Sequence, residues 1–190
     1  MKLGITQFAA ALREIRTEEF TPGRLNPILQ NLDLVANTVE RYVQWRPGSY
    51  TRNLVYTNPE FELLVLCWDA GAISSIHDHA GQQCWFVAHS GVFTVENYAL
   101  LSGGKEPGHA RVRATTTDLN VSAGMPDYRA PDVNEIHRVS VPASGTRAIS
   151  IHVYAKPIAH CLSFDEATQR CVEKPMAYDN VSRPERILVA

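Results

Sequence analysis

Cysteine is scarce in this chain, and so is any surplus of charge. The four cysteines among 190 residues, Cys67, Cys84, Cys161 and Cys171, are too few and too scattered for a disulfide framework. None stands in a C-x-x-C pair, so neither a structural zinc site nor a thioredoxin-like motif is indicated. The expectation is four reduced thiols that pack as small hydrophobes. Eighteen basic residues against 20 acidic ones give a net charge of −2. That leaves no basic excess to draw the chain to nucleic acid or to a membrane surface. With 45% apolar residues the chain is too hydrophobic, and its charge too sparse, for disorder. No run of about 18 apolar residues is present to span a bilayer. The N-terminus meets Gln7, Arg13 and Glu14 too early to build a signal-peptide core, so a cytoplasmic protein is the default expectation.

The length predicts one domain over residues 1–190, at ~150 residues per domain with an extension. Two early segments carry helical periodicity. From Gly4 to Phe20 the apolar positions Phe8, Leu12 and Ile15 follow one helix face. From Asn26 to Trp45, Ile28, Leu29, Leu32, Val35, Val39, Tyr42 and Val43 do so more clearly. Pro27 suits a first helical turn, and Pro47-Gly48 marks a stop. After Tyr50 the pattern changes to short β-branched or aromatic runs: Phe61 to Trp68, Gln83 to Val87, Gly91 to Tyr98, Arg111 to Thr117 and Ala148 to Tyr154. Turn signals at Gly71, Gly81, Gly91, Ser102-Gly103-Gly104 and Pro142 to Gly145 separate them. Many short strands with tight turns predict a mainly β sandwich or barrel. The reading is therefore a helical flank over 1–48, a β-barrel over 49–176 and a tail over 177–190. From Cys171 onward the pattern is less readable, and Pro175 and Pro184 suggest an extended segment wrapping the barrel.

The strongest local signal is Ser75-Ile76-His77-Asp78-His79. In a strand the side-chain period is two, so His77 and His79 face one way and Asp78 the other. Two imidazoles on one face are two of the neutral nitrogen donors a divalent first-row metal needs. His137, in Asn134-Glu135-Ile136-His137-Arg138-Val139, is the best-placed third donor. His89, His109 and His160 stand in turn-like or irregular surroundings and read as surface histidines. Gly71, five residues, His77-x-His79, four residues, Cys84, six residues and Gly91 together resemble the first metal-binding motif of the cupin barrels. Gln83 and Cys84 stand where many cupins carry a glutamate ligand. A site of three histidines without a carboxylate leaves the metal's charge uncompensated and favours anionic ligands from a substrate.

Further stretches carry a more specific resemblance. Tyr50-Thr51-Arg52-Asn53-Leu54-Val55, Leu66-Cys67-Trp68, Ser74 to His79, His137-Arg138-Val139 and Ser150-Ile151-His152-Val153-Tyr154 resemble the thiol dioxygenases, and the cysteine dioxygenase family most closely, in order from about Tyr50 to Met176. The resemblance implies a cupin-type β-barrel (a double-stranded β-helix) with an N-terminal helical flank. It makes His77, His79 and His137 ligands of Fe(II), and Arg52 with Tyr50 the pair that holds a substrate carboxylate, for which a guanidinium fork is well suited. Ser150, His152 and Tyr154 form a period-two row, with Ile149, Ile151 and Val153 on the other face. By resemblance Ser150 and His152 orient the Tyr154 hydroxyl near substrate and oxygen. Cys84 occupies the family position whose sulfur can be joined to the ring of the tyrosine matched by Tyr154. Many bacterial members have glycine there, so this chain retains the residue a Cys84–Tyr154 thioether requires. Cys161 and Met176 match family positions near the pocket, while Cys171 reads as structural or exposed.

The activity implied is oxidation of L-cysteine by dioxygen to cysteine sulfinic acid, a rung of the oxidation ladder of protein thiols. Its partners are a small thiol and O2. Residues 80–83 differ from the animal enzymes, and Trp85 has no assigned role. The alternatives are a dioxygenase for another small thiol (3-mercaptopropionate, mercaptosuccinate or cysteamine) and a non-catalytic cupin binding a metal or ligand, zinc included. Relatives acting on 3-mercaptopropionate usually carry glutamine at the place of Arg52, which favours cysteine. Mercaptosuccinate would want a second cation, for which Arg111, Arg113 and Arg129 are available. Oligomeric state is left open.

Overall fold

A computed structural model describes residues 2–122, 125–131 and 133–181. The chain begins with helix α1 (Ile5–Arg13), a 3₁₀ turn at Thr17–Glu19, and helices α2 (Pro22–Gln30) and α3 (Ala36–Glu40). In α1, Ile5, Phe8, Ala9 and Leu12 are buried along one face, and the Gln7 side chain accepts the Gly4 N–H at 2.8 Å. The two long helices expected from periodicity are thus shorter pieces. Pro22 opens α2, and Pro27 lies inside it rather than in its first turn. The break before α3 has a backbone cause. The Leu3 N–H donates to the Asp33 carbonyl and the Val35 N–H to the Leu3 carbonyl, both at 2.9 Å, so residues 33–35 are diverted into a parallel bridge with the N-terminus. Of the positions on the expected stripe, Leu29 and Val39 are buried, and Ile28, Leu32, Tyr42 and Val43 pack against the same apolar cluster, which Leu25 and Leu34 also join; Val35 falls outside it. The period therefore survives the loss of the helix.

Among the described residues eleven strands follow: β1 (Tyr50–Thr57), β2 (Phe61–Trp68), β3 (Ile76–His77), β4 (Gln83–Ser90), β5 (Phe93–Gly103), β6 (Gly108–Val121), β7 (Asp127–Arg129), β8 (Ile136–Ser140), β9 (Ala148–Ala155), β10 (His160–Asp165) and β11 (Arg170–Pro175). Four of the five runs read as strands from the sequence lie within β2, β4, β6 and β9, and the fifth, Gly91 to Tyr98, enters β5 only at Phe93. The region beyond Cys171, illegible in the sequence, pairs as β11 with β10 and β6. Pro184 lies outside the described residues.

One sheet has the order β1-β2-β9-β4-β7, and the others close a ring β10-β11-β6-β5-β8-β3. This is the mainly β, cupin-type barrel with a helical flank. Side chains of the five-stranded sheet alternate between two apolar layers. Leu63, Val65, Cys67, Trp85, Val87, Ile151 and Val153 pack outward under the helices. Leu54, Leu64, Leu66, Trp68, Phe86 and Tyr154 point inward, where Phe93, Val95, Val121 and Val139 of the second sheet meet them. With both faces covered, β2 is buried along its whole length, which explains a run too apolar to alternate. Trp85, unassigned from sequence, is an outward anchor whose indole N–H donates to Asn26 Oδ1 at 3.0 Å.

Antiparallel pairing sets up rows across the inner face. Glu62, Tyr154, Cys84 and Arg129 are successive neighbours, as are Leu64, His152, Phe86 and Asp127, and then Arg52, Leu66, Ser150 and Ala88. On the opposite sheet, His77 is paired with His137, and His137 with Asn97. After β11 the chain crosses the edge of β1. The Asn180 side chain accepts the Leu54 N–H at 2.8 Å and donates to the Leu54 carbonyl at 2.9 Å, and Asp179 Oδ2 accepts the Arg52 N–H at 2.7 Å. As far as Val181, the tail is an extended strap on the barrel. Among the described residues no helix is long and apolar enough to cross a membrane.

Candidate active site

His77, His79 and His137 converge inside the barrel. Pairing of β3 with β8 places His77 beside His137. β3 ends at His77, so His79 is positioned by the irregular segment after it and not by strand alternation. Asp78 turns outward, as the two-residue period required, and its Oδ1 accepts the Leu162 N–H of β10 at 2.8 Å. The histidine ring centroids are 4.7 to 5.3 Å apart, and one ligand atom from each lies within 4.8 Å of the others.

Burial and mutual repulsion keep these rings neutral. His77 is lowered to about 4, and His79 and His137 lie well below the ordinary imidazole value. The His77 Nδ1–H points at the Ser75 carbonyl at 2.9 Å, which leaves Nε2 as its lone-pair nitrogen. The buried Nδ1 atoms of His79 and His137 have no hydrogen-bond partner among the described residues. Buried polar atoms without partners are costly. Three neutral nitrogen donors grouped this closely, two rings carrying an unsatisfied nitrogen, fit a single divalent metal. Gln83, at the place of the cupin glutamate, is engaged elsewhere: its Oε1 accepts the Tyr128 hydroxyl at 2.8 Å.

A tight cavity beside the histidines is lined by Tyr50, Arg52, Trp68, His152, Tyr154 and Met176, among others. Tyr50 and Arg52 share the inner face of β1. Tyr50 stacks on Trp68 with ring centroids 4.4 Å apart. The Arg52 guanidinium carbon sits 5.6 Å from the Tyr154 ring centre, and its buried Nε has no partner among the described residues.

The polar face of β9 forms a chain of hydrogen bonds. The Trp68 indole N–H donates to Ser150 Oγ at 2.9 Å. Ser150 Oγ lies 2.9 Å from His152 Nε2, and His152 Nδ1 lies 3.4 Å from the Tyr154 hydroxyl. Because an indole can only donate, one assignment leaves no donor idle: the Ser150 O–H donates to Nε2, and the Nδ1–H to the Tyr154 oxygen. His152 is then a neutral Nδ1–H tautomer, consistent with burial lowering it to about 3. Tyr154 retains its own proton, held on by burial far above the usual phenol value. Cys84 lies directly across from Tyr154, and burial raises its thiol strongly.

Several neighbours escaped the sequence reading. Glu62 is fully buried beside Arg52. Asp127 Oδ2 stands 4.0 Å from His137 Nδ1, while both its oxygens receive the Arg129 fork at 2.6 Å. Arg129, a candidate second cation in the sequence, is thereby occupied, its Nη1 also donating to Asn97 Oδ1 and, at 3.0 Å, to the Asn134 carbonyl. Arg111 and Arg113 are exposed on β6. Cys161 touches Met176, sulfur to sulfur, at 3.5 Å. Cys171 is buried in a third apolar cluster, and all four cysteines are free. His109 and His160 are exposed, and His89 is half-buried.

The neutral histidines predict an acid limb in the metal-free protein. The unfolded chain takes up a proton on each near 6.5, but folded His77 does so only at about 4 and His152 at about 3. Between those values the unfolded state binds more protons. Stability is therefore full above pH 6.5 and falls as pH drops toward 4, by up to ~1.4 kcal/mol per pH unit for each such histidine. Melting temperatures of chelator-treated protein from pH 7.5 to 4.5 measure this; a flat profile would contradict buried neutral rings.

Residues 5–167 match the family profile described as cysteine dioxygenase type I. The chain is 33% identical over 155 residues to cysteine dioxygenase type 1 of Danio rerio, covering 73% of this chain and 72% of that protein. With the Homo sapiens cysteine dioxygenase type 1 the identity is 29% over 131 residues, covering 67% of this chain and 61% of the human protein, so the chain spans less than two thirds of that relative. Among solved structures it is similar to an RmlC-like cupin protein from Desulfovibrio desulfuricans, with TM-score 0.45, 14% identity, and coverage of 61% of this chain and 91% of that one. A family match over this much of the sequence places the chain in the cysteine dioxygenase type I family.

Proposed function

We propose that the protein is an iron-dependent thiol dioxygenase that converts L-cysteine and O2 to cysteine sulfinic acid in the cytoplasm. The observation that carries this reading is the juxtaposition of three grouped neutral histidines, two of them with a buried nitrogen that has no partner among the described residues, with a cavity that His77 and His137 share with a buried arginine and a hydrogen-bonded tyrosine. In this reading His77, His79 and His137 hold Fe(II). Bound iron would supply the one-electron chemistry that lets dioxygen react with a thiolate.

The chain's own residues do the rest. Arg52, with an unpaired Nε and a guanidinium facing Tyr154, holds the substrate carboxylate by charge-assisted hydrogen bonds, and Tyr50 flanks it. Stacking on Trp68 fixes the Tyr50 ring. Ser150 and His152 are positioning residues: Trp68 orders Ser150, Ser150 fixes the His152 tautomer, and the His152 Nδ1–H holds the Tyr154 oxygen. The Tyr154 O–H is then aimed by its lone pairs and free to donate toward the substrate. The apolar lining from Leu66 and Val139 excludes water around the thiol.

The same reading includes a Cys84–Tyr154 thioether. It is supported by their direct cross-strand pairing, which brings Cβ atoms to about 5 Å. Forming it removes the thiol hydrogen and one ring hydrogen, with dioxygen as oxidant. Intact mass lower by two hydrogen atoms, mapped to one linked peptide pair, is the expected result. Two separate unmodified peptides from active protein would exclude it.

Iron content and oxygen uptake with cysteine, 3-mercaptopropionate, mercaptosuccinate and cysteamine, measured side by side, test the reading as a whole. Uptake is expected with cysteine. Uptake only with another thiol keeps the mechanism and changes the substrate, whereas none with iron-loaded protein favours a binding cupin.

A further inference from the structure

Glu62 is an anomaly of composition before it is one of structure. It is the single charged residue in the run Phe61–Trp68 and is completely buried. Its Oε1 lies 3.4 Å from Arg52 Nη2 and 3.5 Å from the Ile158 N–H, and its Oε2 accepts the Tyr178 hydroxyl. The ion pair is long: a charge-assisted N–H···O bond is ordinarily about 2.7–2.9 Å. Arg52 is thus only partly neutralised, and its Nε has no partner among the described residues. Tyr178 comes from the strap whose Asp179 and Asn180 side chains clip the edge of β1 at Arg52 and Leu54. The strap and β2 together hold a fixed negative charge against one side of the guanidinium, and the cavity opens on another.

We propose that Glu62 determines specificity by setting how strongly Arg52 attracts a substrate carboxylate, lowering the affinity of the pocket for thiols that carry one. The inference rests on the reading of Arg52 as the carboxylate holder. Two carboxylates sharing one guanidinium repel each other in a buried site, so Glu62 opposes a bound anion. Cysteine, whose ammonium offsets its carboxylate, is penalised less than 3-mercaptopropionate, which has none. Mercaptosuccinate, with two carboxylates, is penalised most. Burial pushes the Glu62 carboxyl up while Arg52 and the Tyr178 hydroxyl pull it back.

The test is anaerobic equilibrium binding of cysteine, 3-mercaptopropionate and cysteamine to iron-loaded protein, wild type beside Glu62→Gln. Glutamine keeps the size and an oxygen acceptor but removes the charge. The dissociation constant for 3-mercaptopropionate should fall roughly ten-fold and that for cysteine by less. Cysteamine, which lacks a carboxylate, should bind no more tightly. Equal changes for all three thiols, or none, would overturn the inference. Tyr178→Phe is the second variant. It takes one donor from Glu62 and leaves that charge leaning on Arg52, so carboxylate thiols should bind more weakly and cysteamine should not. An unchanged ratio in Tyr178→Phe counts against the inference even if Glu62→Gln does not fold. Arg52→Ala separates the two layers. If it leaves carboxylate thiols unaffected, the Arg52 reading itself fails; if it weakens them while Glu62→Gln does nothing, only the Glu62 inference fails.

Discussion

Replacing His137 with alanine should strip the protein of iron and turnover while leaving the barrel folded. His137 is one of three nitrogen donors, with no carboxylate among the grouped ligand atoms to take over. Loss of a mere outer-shell partner commonly weakens metal binding 10–100-fold, so loss of a direct ligand should exceed roughly 100-fold. The fold should tolerate the change because the imidazole contributes little to it: its buried Nδ1 has no hydrogen-bond partner among the described residues, and the pairing of β8 with β3 and β5 uses backbone groups. Metal analysis beside circular dichroism reads the two effects separately. Full iron and full turnover in this variant would remove His137 from the ligand set. His79→Ala should behave alike, whereas His109→Ala, on an exposed residue, should retain iron.

The grouping of the histidines was legible because its signal is local. His77 and His79 are two positions apart in a segment bounded by glycines, and the strand carrying Ser150, His152 and Tyr154 alternates polar and apolar residues without interruption. Even so, the alternation argument was right about His79 for an incomplete reason, since β3 ends at His77 and the turn after it sets the second ring. The helices were legible as an apolar stripe and not as lengths. What divides α2 from α3 is a backbone bridge to Leu3, about which side-chain periodicity is silent. Glu62, Asp127 and Tyr178 were illegible because their roles depend on register and distant contact. Tyr178 meets Glu62 across 116 residues of chain, and Asp127 meets His137 only because β7 and β8 end in different sheets. A charged residue inside the apolar run of β2 was the one available signal for Glu62.

Arg52→Ala should have two consequences that a second substitution can pull apart. The first is on substrate: losing a charge-assisted hydrogen bond costs about 1.5–3 kcal/mol, so the KM for cysteine should rise about 10–100-fold, with kcat falling less. The second is on folding. Removing the arginine leaves Glu62 buried without its cation, and breaking such a pair typically costs about 3–5 kcal/mol. The lower end applies here, because the pair is long at 3.4 Å and Tyr178 still donates to the carboxylate. Adding Glu62→Gln to Arg52→Ala should restore much of the lost stability, since no unpaired charge then remains, but it should not restore the KM. Denaturant melts and steady-state kinetics on both single variants and the double close the cycle. If the double variant instead recovered the wild-type KM, the weak binding of Arg52→Ala would have to be charged to repulsion by an uncompensated Glu62. Arg52 would then be no more than that residue's counter-ion.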